Sequence, residues 1–193
     1  MHLKFLIVIP LLVLALSARS QELPPFKRII KLYPIQLYKV FPTATIAYEH
    51  RVAYNLSVTL EAATYLDLSI VNADYSDKRG IRFREELRYY FKYRYSKSNP
   101  TYARGTYSAV DLQQTSATYS KDAQNFRWKE AGFGFKFGMA EYLNRITLDY
   151  SIGVAFRYAD ETPPDLWASM INFWEDRNPI VQPTLSLGVG YRF

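Results

Sequence analysis

Strict alternation of large apolar side chains with small, polar or charged ones is the feature of this sequence that most restricts its fold. From Leu185 to the last residue, every odd position is large and apolar, and every even position is Ser, Gly or Arg. The segment 146–158 alternates in the same way, which a helix cannot accommodate. Because successive side chains of a strand point to opposite faces, each segment predicts a strand with one apolar and one polar face.

The sequence predicts eight strands when every segment of this kind is counted. They lie at 28–38, 42–52, 54–67, 79–94, 102–119, 126–139, 144–158 and 181–193. The clearest of them reach the roughly 9–11 residues that a tilted membrane strand needs. The first changes phase at Tyr33-Pro34, which predicts a bulge, and the fifth is polar throughout. In the fourth, Glu85 falls among the apolar positions, so we expect either a bulge there or a position away from the bilayer centre.

Residues 1–20 have the composition of a secretory signal peptide. A basic residue precedes an apolar stretch at 5–16, and Ala18 and Ser20 supply the small residues that a signal peptidase reads. The apolar stretch is too short to cross a bilayer as a helix. The chain contains no cysteine, which excludes a disulfide framework and a lipoprotein anchor. We therefore expect an exported protein with one barrel domain, 21–193.

The last strand also resembles a targeting signal. Ser186, Gly188, Tyr191 and Phe193 fill the four specified positions of the C-terminal signal by which bacterial outer-membrane β-barrels are recognised for insertion. This resemblance implies an outer-membrane location and contact with the barrel-insertion machinery during biogenesis. An ordinary amphipathic edge strand of a soluble domain is the alternative.

Aromatic composition and charge agree with a membrane barrel. The chain has 17 Tyr and 12 Phe beside 3 Trp, and such rings form the two interfacial girdles of these barrels. We expect a periplasmic girdle at 89–95, Tyr191 and Phe193, and an outer girdle at Phe126, Trp128 and Tyr158. The net charge of +6 is mild and forms no basic stripe, so no nucleic-acid partner is expected.

The lengths of the connections predict how the barrel is oriented. With both ends of the chain in the periplasm, the periplasmic turns should be short and the outer loops can be long. The predicted short turns are 52–53, 95–101 and 141–144. The predicted outer loops are 68–78, 120–124 and 159–180.

Two motifs carry a closer resemblance to a known family. They are Ala-Tyr-Glu-His-Arg at 47–51 and the segment 80–91. The chain resembles small eight-stranded outer-membrane barrels of the OmpA type without the periplasmic domain, and most closely an uncharacterised barrel family of Bacteroidota. The resemblance implies an all-β, antiparallel, up-and-down transmembrane barrel in contact with outer-membrane lipid and lipopolysaccharide. It implies nothing about chemistry.

The polar faces of the predicted strands carry many charges. The expected lumen charges are Glu49, Glu61, Arg82, Arg84, Glu86, Arg88, Lys136, Asp149, Arg157 and Arg192. An eight-stranded barrel is just wide enough for its side chains to fill, and an unpaired charge there has a large desolvation cost. We therefore expect a closed, salt-bridged lumen with Glu61 and Arg84 as one pair, and keep a narrow pore as the alternative.

Catalytic and metal-binding residues are not expected in this chain. Outer-membrane hydrolases need a histidine base near the outer leaflet, and the only histidine beyond the signal peptide, His50, lies at the periplasmic end of its strand. The acidic residues Asp160, Glu161, Asp165, Glu175 and Asp176 lack the spacing of a calcium loop. No cofactor is expected either.

The last outer loop is the remaining candidate for function. Two prolines precede a helix-compatible run in which one face carries Leu166, Trp167, Met170, Phe173 and Trp174. A short extracellular helix could fold onto the barrel rim as a lid, or could dock an extracellular protein or lipopolysaccharide.

The pattern thus predicts a non-catalytic integral outer-membrane barrel with a structural or surface-interaction role. The alternative from another class is a secreted, lipocalin-like binding barrel whose apolar residues point inward, since alternation alone does not tell which face is inside. The aromatic rims and the arginine-rich opposite face favour lipid on the outside.

Overall fold

The computed structural model describes residues 28–34, 36–37, 43–65, 76–95, 102–121, 124–159 and 180–193. They form nine strands: β1 (Arg28–Tyr33), β2 (Gln36–Leu37), β3 (Thr43–Ala53), β4 (Leu56–Tyr65), β5 (Ser76–Tyr95), β6 (Tyr102–Lys121), β7 (Gln124–Leu143), β8 (Ile146–Ala159) and β9 (Ile180–Arg192). Within these ranges there is no helix long and apolar enough to cross a membrane.

The strands close into an antiparallel barrel. From β3 to β9 each strand pairs with the next, and β1 pairs with both β3 and β9. The two residues of β2 pair with β9 alone, further along the same edge, so β1 and β2 share one of eight positions in the wall. The break between β1 and β2 begins at Pro34, which has no N–H to donate to a ladder. This architecture confirms the predicted all-β, eight-strand, antiparallel up-and-down barrel, whereas the predicted helix in the last loop lies outside the described residues.

The register determines how steeply the strands tilt. A path around the wall can be traced from each residue to its partner on the next strand, perpendicular to the strands. It starts at Tyr191 and returns to β9 at Val181, ten residues from its starting point. It passes through Ile30, Tyr48, Leu60, Glu85, Leu112, Phe133 and Phe156. With about 3.3 Å per residue and about 4.7 Å between strands, this offset gives a tilt of about 40° and a Cα radius of roughly 8 Å.

Two tight turns define one end of the barrel, which we call the turn end. They lie at Tyr54–Asn55 and at Asn144–Arg145, slightly beyond the predicted positions. Asn144 has a φ of 51°, a left-handed conformation that asparagine tolerates better than most residues. The opposite end, where the predicted outer loops belong, is called the loop end; 66–75, 122–123 and 160–179 lie outside the described residues.

The two faces of the wall differ in polarity, with the apolar face outside. Leu32, Phe83, Phe137 and Ile152 are all more than half exposed, whereas Lys31, on the opposite face of β1, is fully buried. The lipocalin-like alternative requires apolar residues that point inward, and the exposed apolar face contradicts it.

Glycine makes room for large side chains inside the narrow barrel. A Cβ atom at Gly138 would lie 2.4 Å from the ring of Tyr107, and one at Gly188 would lie 2.5 Å from the ring of Tyr33. Both tyrosines are at most 1% exposed. These glycines therefore allow two tyrosine rings to fill the interior.

Candidate functional site

Four charged side chains from four strands meet in the half of the lumen nearer the turn end. We call Lys31, Glu49, Arg88 and Asp149 the four-strand cluster; each is at most 2% exposed. Lys31 Nζ lies 2.5 Å from Glu49 Oε2 and also contacts Asp149 Oδ2. Arg88 Nη1 contacts the same Asp149 oxygen and lies 3.4 Å from Glu49 Oε2. Each carboxylate is thus shared by two cations.

Hydroxyl groups complete the hydrogen bonding of this cluster. Tyr107 donates to Asp149 Oδ1 at 2.7 Å. Tyr90 and Ser57 donate to Glu49 Oε1 at 2.8 and 2.7 Å. The Arg88 guanidinium lies 4.5 Å above the Tyr107 ring. The charges are therefore both paired and hydrogen-bonded, which is the condition for keeping an ionic cluster in a desolvated interior.

A second group of charges follows toward the loop end. Arg84 Nη2 pairs with Glu61 Oε2 across the β4–β5 ladder. Lys136 Nζ lies 2.5 Å from Glu86 Oε2 and 3.2 Å from Asp111 Oδ2. Arg88 also contacts Glu86, so this group is joined to the four-strand cluster.

A third group lies nearest the loop end. Arg157 Nη1 lies 3.0 Å from Glu130 Oε1, which also accepts a hydrogen bond of 3.0 Å from Gln113 Nε2. Arg82 Nη2 donates to Thr45 Oγ1 at 3.4 Å. Ionic and hydrogen-bonding side chains thus extend along most of the lumen.

The structure places the predicted lumen charges inside, with one exception. All of them except Arg192 are at most 4% exposed. Arg192 is only partly buried, with its guanidinium 5.8 Å from the centre of the Tyr142 ring. Among the described residues, the sequence analysis missed four further interior charges: Lys31, Arg51, Asp111 and Glu130.

Local alternation could have found the missed charges. Lys31 lies between the outward-facing Ile30 and Leu32, and Asp111 lies between Val110 and Leu112. Glu130 lies within the predicted strand 126–139 and keeps the phase of the inward-facing even positions of β7. Strand phase was the available signal in each case.

A bulge in β5 changes the face of one aromatic residue. The register shifts between Tyr90 and Lys92, so Tyr93 does not lie on the apolar outer face as predicted. Its ring stacks on Tyr90 at 5.2 Å, and the Arg51 guanidinium lies 4.8 Å from its centre. Tyr93 therefore packs at the turn end of the interior, and its placement in the periplasmic girdle is wrong.

The remaining predicted girdle residues are only partly described. Tyr89, Tyr191 and Phe193 are 45–58% exposed near the turn end, and Tyr158 is 53% exposed toward the loop end. The side chains of Phe126 and Trp128 lie outside the described part of the structure, as does that of Tyr95.

Glu85 lies in a regular part of the wall. It pairs with Leu60 on one side and Leu112 on the other, and the nearest bulge in β5 is at Tyr90/Lys92. Its side chain is on the outer face and partly exposed. A bulge is thus present in this strand, as one of the two expected alternatives requires, but it lies at Tyr90/Lys92 and does not remove Glu85 from the apolar face.

The four residues of the predicted insertion signal occupy both faces of β9. Ser186 faces inward and its hydroxyl lies 2.6 Å from that of Ser151. Gly188 is buried, whereas Tyr191 and Phe193 point outward. Tyr191 accepts a 2.9 Å hydrogen bond from Arg145 Nη1. Recognition of these residues by an insertion machinery stays a prediction.

Neither a catalytic nor a metal-binding arrangement is found among the described residues. His50 lies at the turn end, where its ring stacks on Tyr48 at 6.4 Å. The part of the chain that the structure describes contains no cluster of His, Asp and Glu suited to a metal ion. Residues 1–20, the five acidic residues at 160–176 and the predicted helix with Leu166, Trp167, Met170, Phe173 and Trp174 lie outside the described ranges.

Comparison with solved structures identifies the class of fold. The N-terminal β-barrel domain of Pseudomonas aeruginosa OprF has 14% sequence identity and a TM-score of 0.58, with 86% of this chain and 97% of that chain covered. Neisserial surface protein A (NspA) has 13% identity and a TM-score of 0.51, with 87% and 96% covered. At such identities the similarity shows the fold alone.

Sequence comparisons add no family to this structural similarity. No protein-family model matches the chain, and no curated protein matches it. Membership of a Bacteroidota barrel family therefore stays a prediction.

Proposed function

We propose that this chain is a non-catalytic, integral outer-membrane barrel whose lumen is closed by its own salt bridges. The outer apolar face carries this proposal. From Tyr191 to Val181 the outer face of β9 extends over ten residues, which at a tilt of about 40° is about 25 Å in height. That is the height of the apolar band that a transmembrane barrel presents to lipid.

The packing of the lumen supports a plug over a pore. A Cα radius of roughly 8 Å leaves little space once side chains point inward. Lys31, Arg88 and Asp149 are at most 2% exposed and fill this space from different strands. Opening a water path would require separating charges that are paired and hydrogen-bonded, which costs several kcal/mol for each buried pair.

A structural or surface-interaction role follows from this arrangement. The interior charges are engaged with one another, so recognition of another molecule belongs to the outer surface or the loops. We include in the proposal that the apolar residues at 166–174 dock an extracellular protein or lipopolysaccharide. That part rests on the sequence pattern of Trp and Phe, residue types that concentrate binding energy at interfaces.

Fractionation and conductance test the proposal together. The full chain should be recovered in the outer membrane after expression in a Gram-negative host and should change its gel mobility on heating. The purified barrel in a planar bilayer should give no single-channel steps. Recovery in the soluble periplasmic or culture fraction would contradict membrane insertion, whereas regular conductance steps would contradict the plug.

A further inference from the structure

Glu85 places a carboxyl group on the apolar outer wall of the barrel. The ion pairs that fill the lumen do not account for a polar group at this position. Glu85 is partly exposed on the outer face of β5, and no described residue pairs or hydrogen-bonds with its carboxyl group. The described residues next to it across the ladders are Leu60 and Leu112, and its neighbours on the same face of β5 are Phe83 and Leu87.

The barrel register gives the depth of Glu85. The path perpendicular to the strands climbs from Tyr191 to Val181 in eight equal steps around the wall, and it reaches Glu85 after four of them. Glu85 therefore lies halfway up an apolar band of about 25 Å, roughly 12 Å from either edge. In the proposed outer-membrane location this is the centre of the bilayer.

Lipid cannot satisfy the carboxyl group at this depth. Hydrocarbon chains provide neither a donor nor an acceptor, and a polar group left without a partner there has a high desolvation cost. For this reason ionisable side chains inside membranes generally face a partner. The partner of Glu85 must then come from another molecule that reaches the same depth.

A second copy of this chain meets that requirement by symmetry. Copies inserted into one membrane share one orientation, so a two-fold axis along the membrane normal brings equivalent residues together at equal depth. A neutral carboxylic acid has one donor and one acceptor, and two of them form a reciprocal pair of hydrogen bonds. Glu85 is thus complementary to itself across such an axis.

The surface around Glu85 has room for a close contact between copies. An apolar groove of about 340 Å³ lies on one side, lined in part by Leu87, Val110 and Phe135. A second groove of about 550 Å³ lies on the other side, lined in part by Ile46 and Leu60. Because a two-fold contact uses the same patch twice, ridges beside one groove can enter the equivalent groove of the other copy.

We propose that the outer wall of β4 and β5 around Glu85 is a homodimer interface within the membrane, in which the two Glu85 carboxyl groups hydrogen-bond to each other. The proposal rests on the outer-membrane location proposed above. It differs from docking through the loops because the contact lies in the wall of the barrel.

Cysteine crosslinking locates the interface. The chain has no cysteine, so each single variant reports one position. Leu60→Cys lies beside Glu85 and is 50% exposed before substitution; Ile152→Cys, four wall positions away on β8, is a control with 64% exposure. In native outer membranes, a short bis-maleimide should crosslink Leu60→Cys at least fivefold more than Ile152→Cys. Equal crosslinking, or none at Leu60→Cys in membranes that contain the folded protein, would overturn the proposal.

Two substitutions of Glu85 test the chemistry of the contact. Glu85→Gln keeps a donor and an acceptor and should retain most of the dimer when fluorescently labelled full-length protein is diluted in lipid vesicles. Glu85→Leu should lower the dimer fraction at least fivefold while keeping heat-modifiable mobility, which shows that the barrel still folds and inserts. A dimer that persists in Glu85→Leu would overturn the proposal. A loss in Glu85→Gln as large as that in Glu85→Leu would also overturn it, because it would indicate that an ionised carboxylate faces a cationic partner. If the unsubstituted chain itself is not recovered in the outer membrane, the proposed function fails; if it is recovered there and Leu60→Cys shows no preferential crosslinking, only the dimer proposal fails.

Discussion

Substitution of Glu61 measures how much the buried ion pairs stabilise this barrel. Glu61 and Arg84 are at most 4% exposed and contact each other across adjacent strands. Glu61→Gln preserves the shape but leaves the Arg84 guanidinium facing an uncharged amide. Removing one partner of a buried pair costs 3–5 kcal/mol, and because the amide oxygen still accepts a hydrogen bond, we expect about 3 kcal/mol.

A surface pair with the same chemistry is the matched control. Glu141 lies 2.5 Å from Arg104, but these side chains are 22% and 43% exposed. Glu141→Gln should therefore lower the free energy of unfolding by less than about 1 kcal/mol. The measurement is reversible urea unfolding in lipid vesicles, followed by tryptophan fluorescence and by gel mobility.

A double-mutant cycle isolates the pair itself. Arg84→Met combined with Glu61→Gln removes both charges, and its loss should be at least about 2 kcal/mol smaller than the sum of the two single losses. Two results would refute the reasoning that burial makes the interior ion pairs more stabilising than surface pairs. One is additive losses of unfolding free energy, and the other is a loss in Glu141→Gln as large as that in Glu61→Gln.

Three further predictions concern packing, assembly and the last loop. Gly138→Ala should lower the free energy of unfolding by about 1–3 kcal/mol, because its Cβ would lie 2.4 Å from the Tyr107 ring; unchanged urea unfolding would show that the ring moves at little cost. Deletion of Phe193 should reduce outer-membrane levels on quantitative blots far more than deletion of a loop residue, if the insertion machinery reads it, and equal levels would count against that signal. Trp167→Ala with Trp174→Ala should abolish co-purification of a partner crosslinked to the wild-type loop and leave the barrel folded, whereas a loss of barrel stability with crosslinks retained would support the lid.

Alternation predicted the strands and their faces because it follows directly from strand geometry. It placed Glu49, Arg88 and Asp149 on the polar face, and the structure finds them buried together. It gave no depth along the wall, so the midpoint position of Glu85 follows only from the register. It also gave no warning of the bulge that turns Tyr93 inward, since a bulge depends on how two strands pair.

Sequence patterns could not predict which side chains contact each other across the lumen. Lys31 and Asp149 are 118 residues apart and meet only because the barrel closes with one particular offset between its first and last strands. A different offset would leave both residues facing inward but at different heights. The sequence pattern therefore predicted most of the interior charges and the Glu61–Arg84 pair between adjacent strands, but not the pairs that form across the lumen.

The position of the four-strand cluster affects how the barrel can come apart. The closing ladder between β1 and β9 extends only from Ile29 to Leu32 in the described residues, whereas β8 pairs with β9 from Ile146 to Arg157. This short ladder and the two residues of β2 that also pair with β9 form the seam at which the barrel closes. Lys31 reaches past β9 to Asp149 on β8, so a buried ion pair fastens the seam from within. Unzipping there must separate these charges in a dry interior before water enters, and slow unfolding should follow even where equilibrium stability is modest.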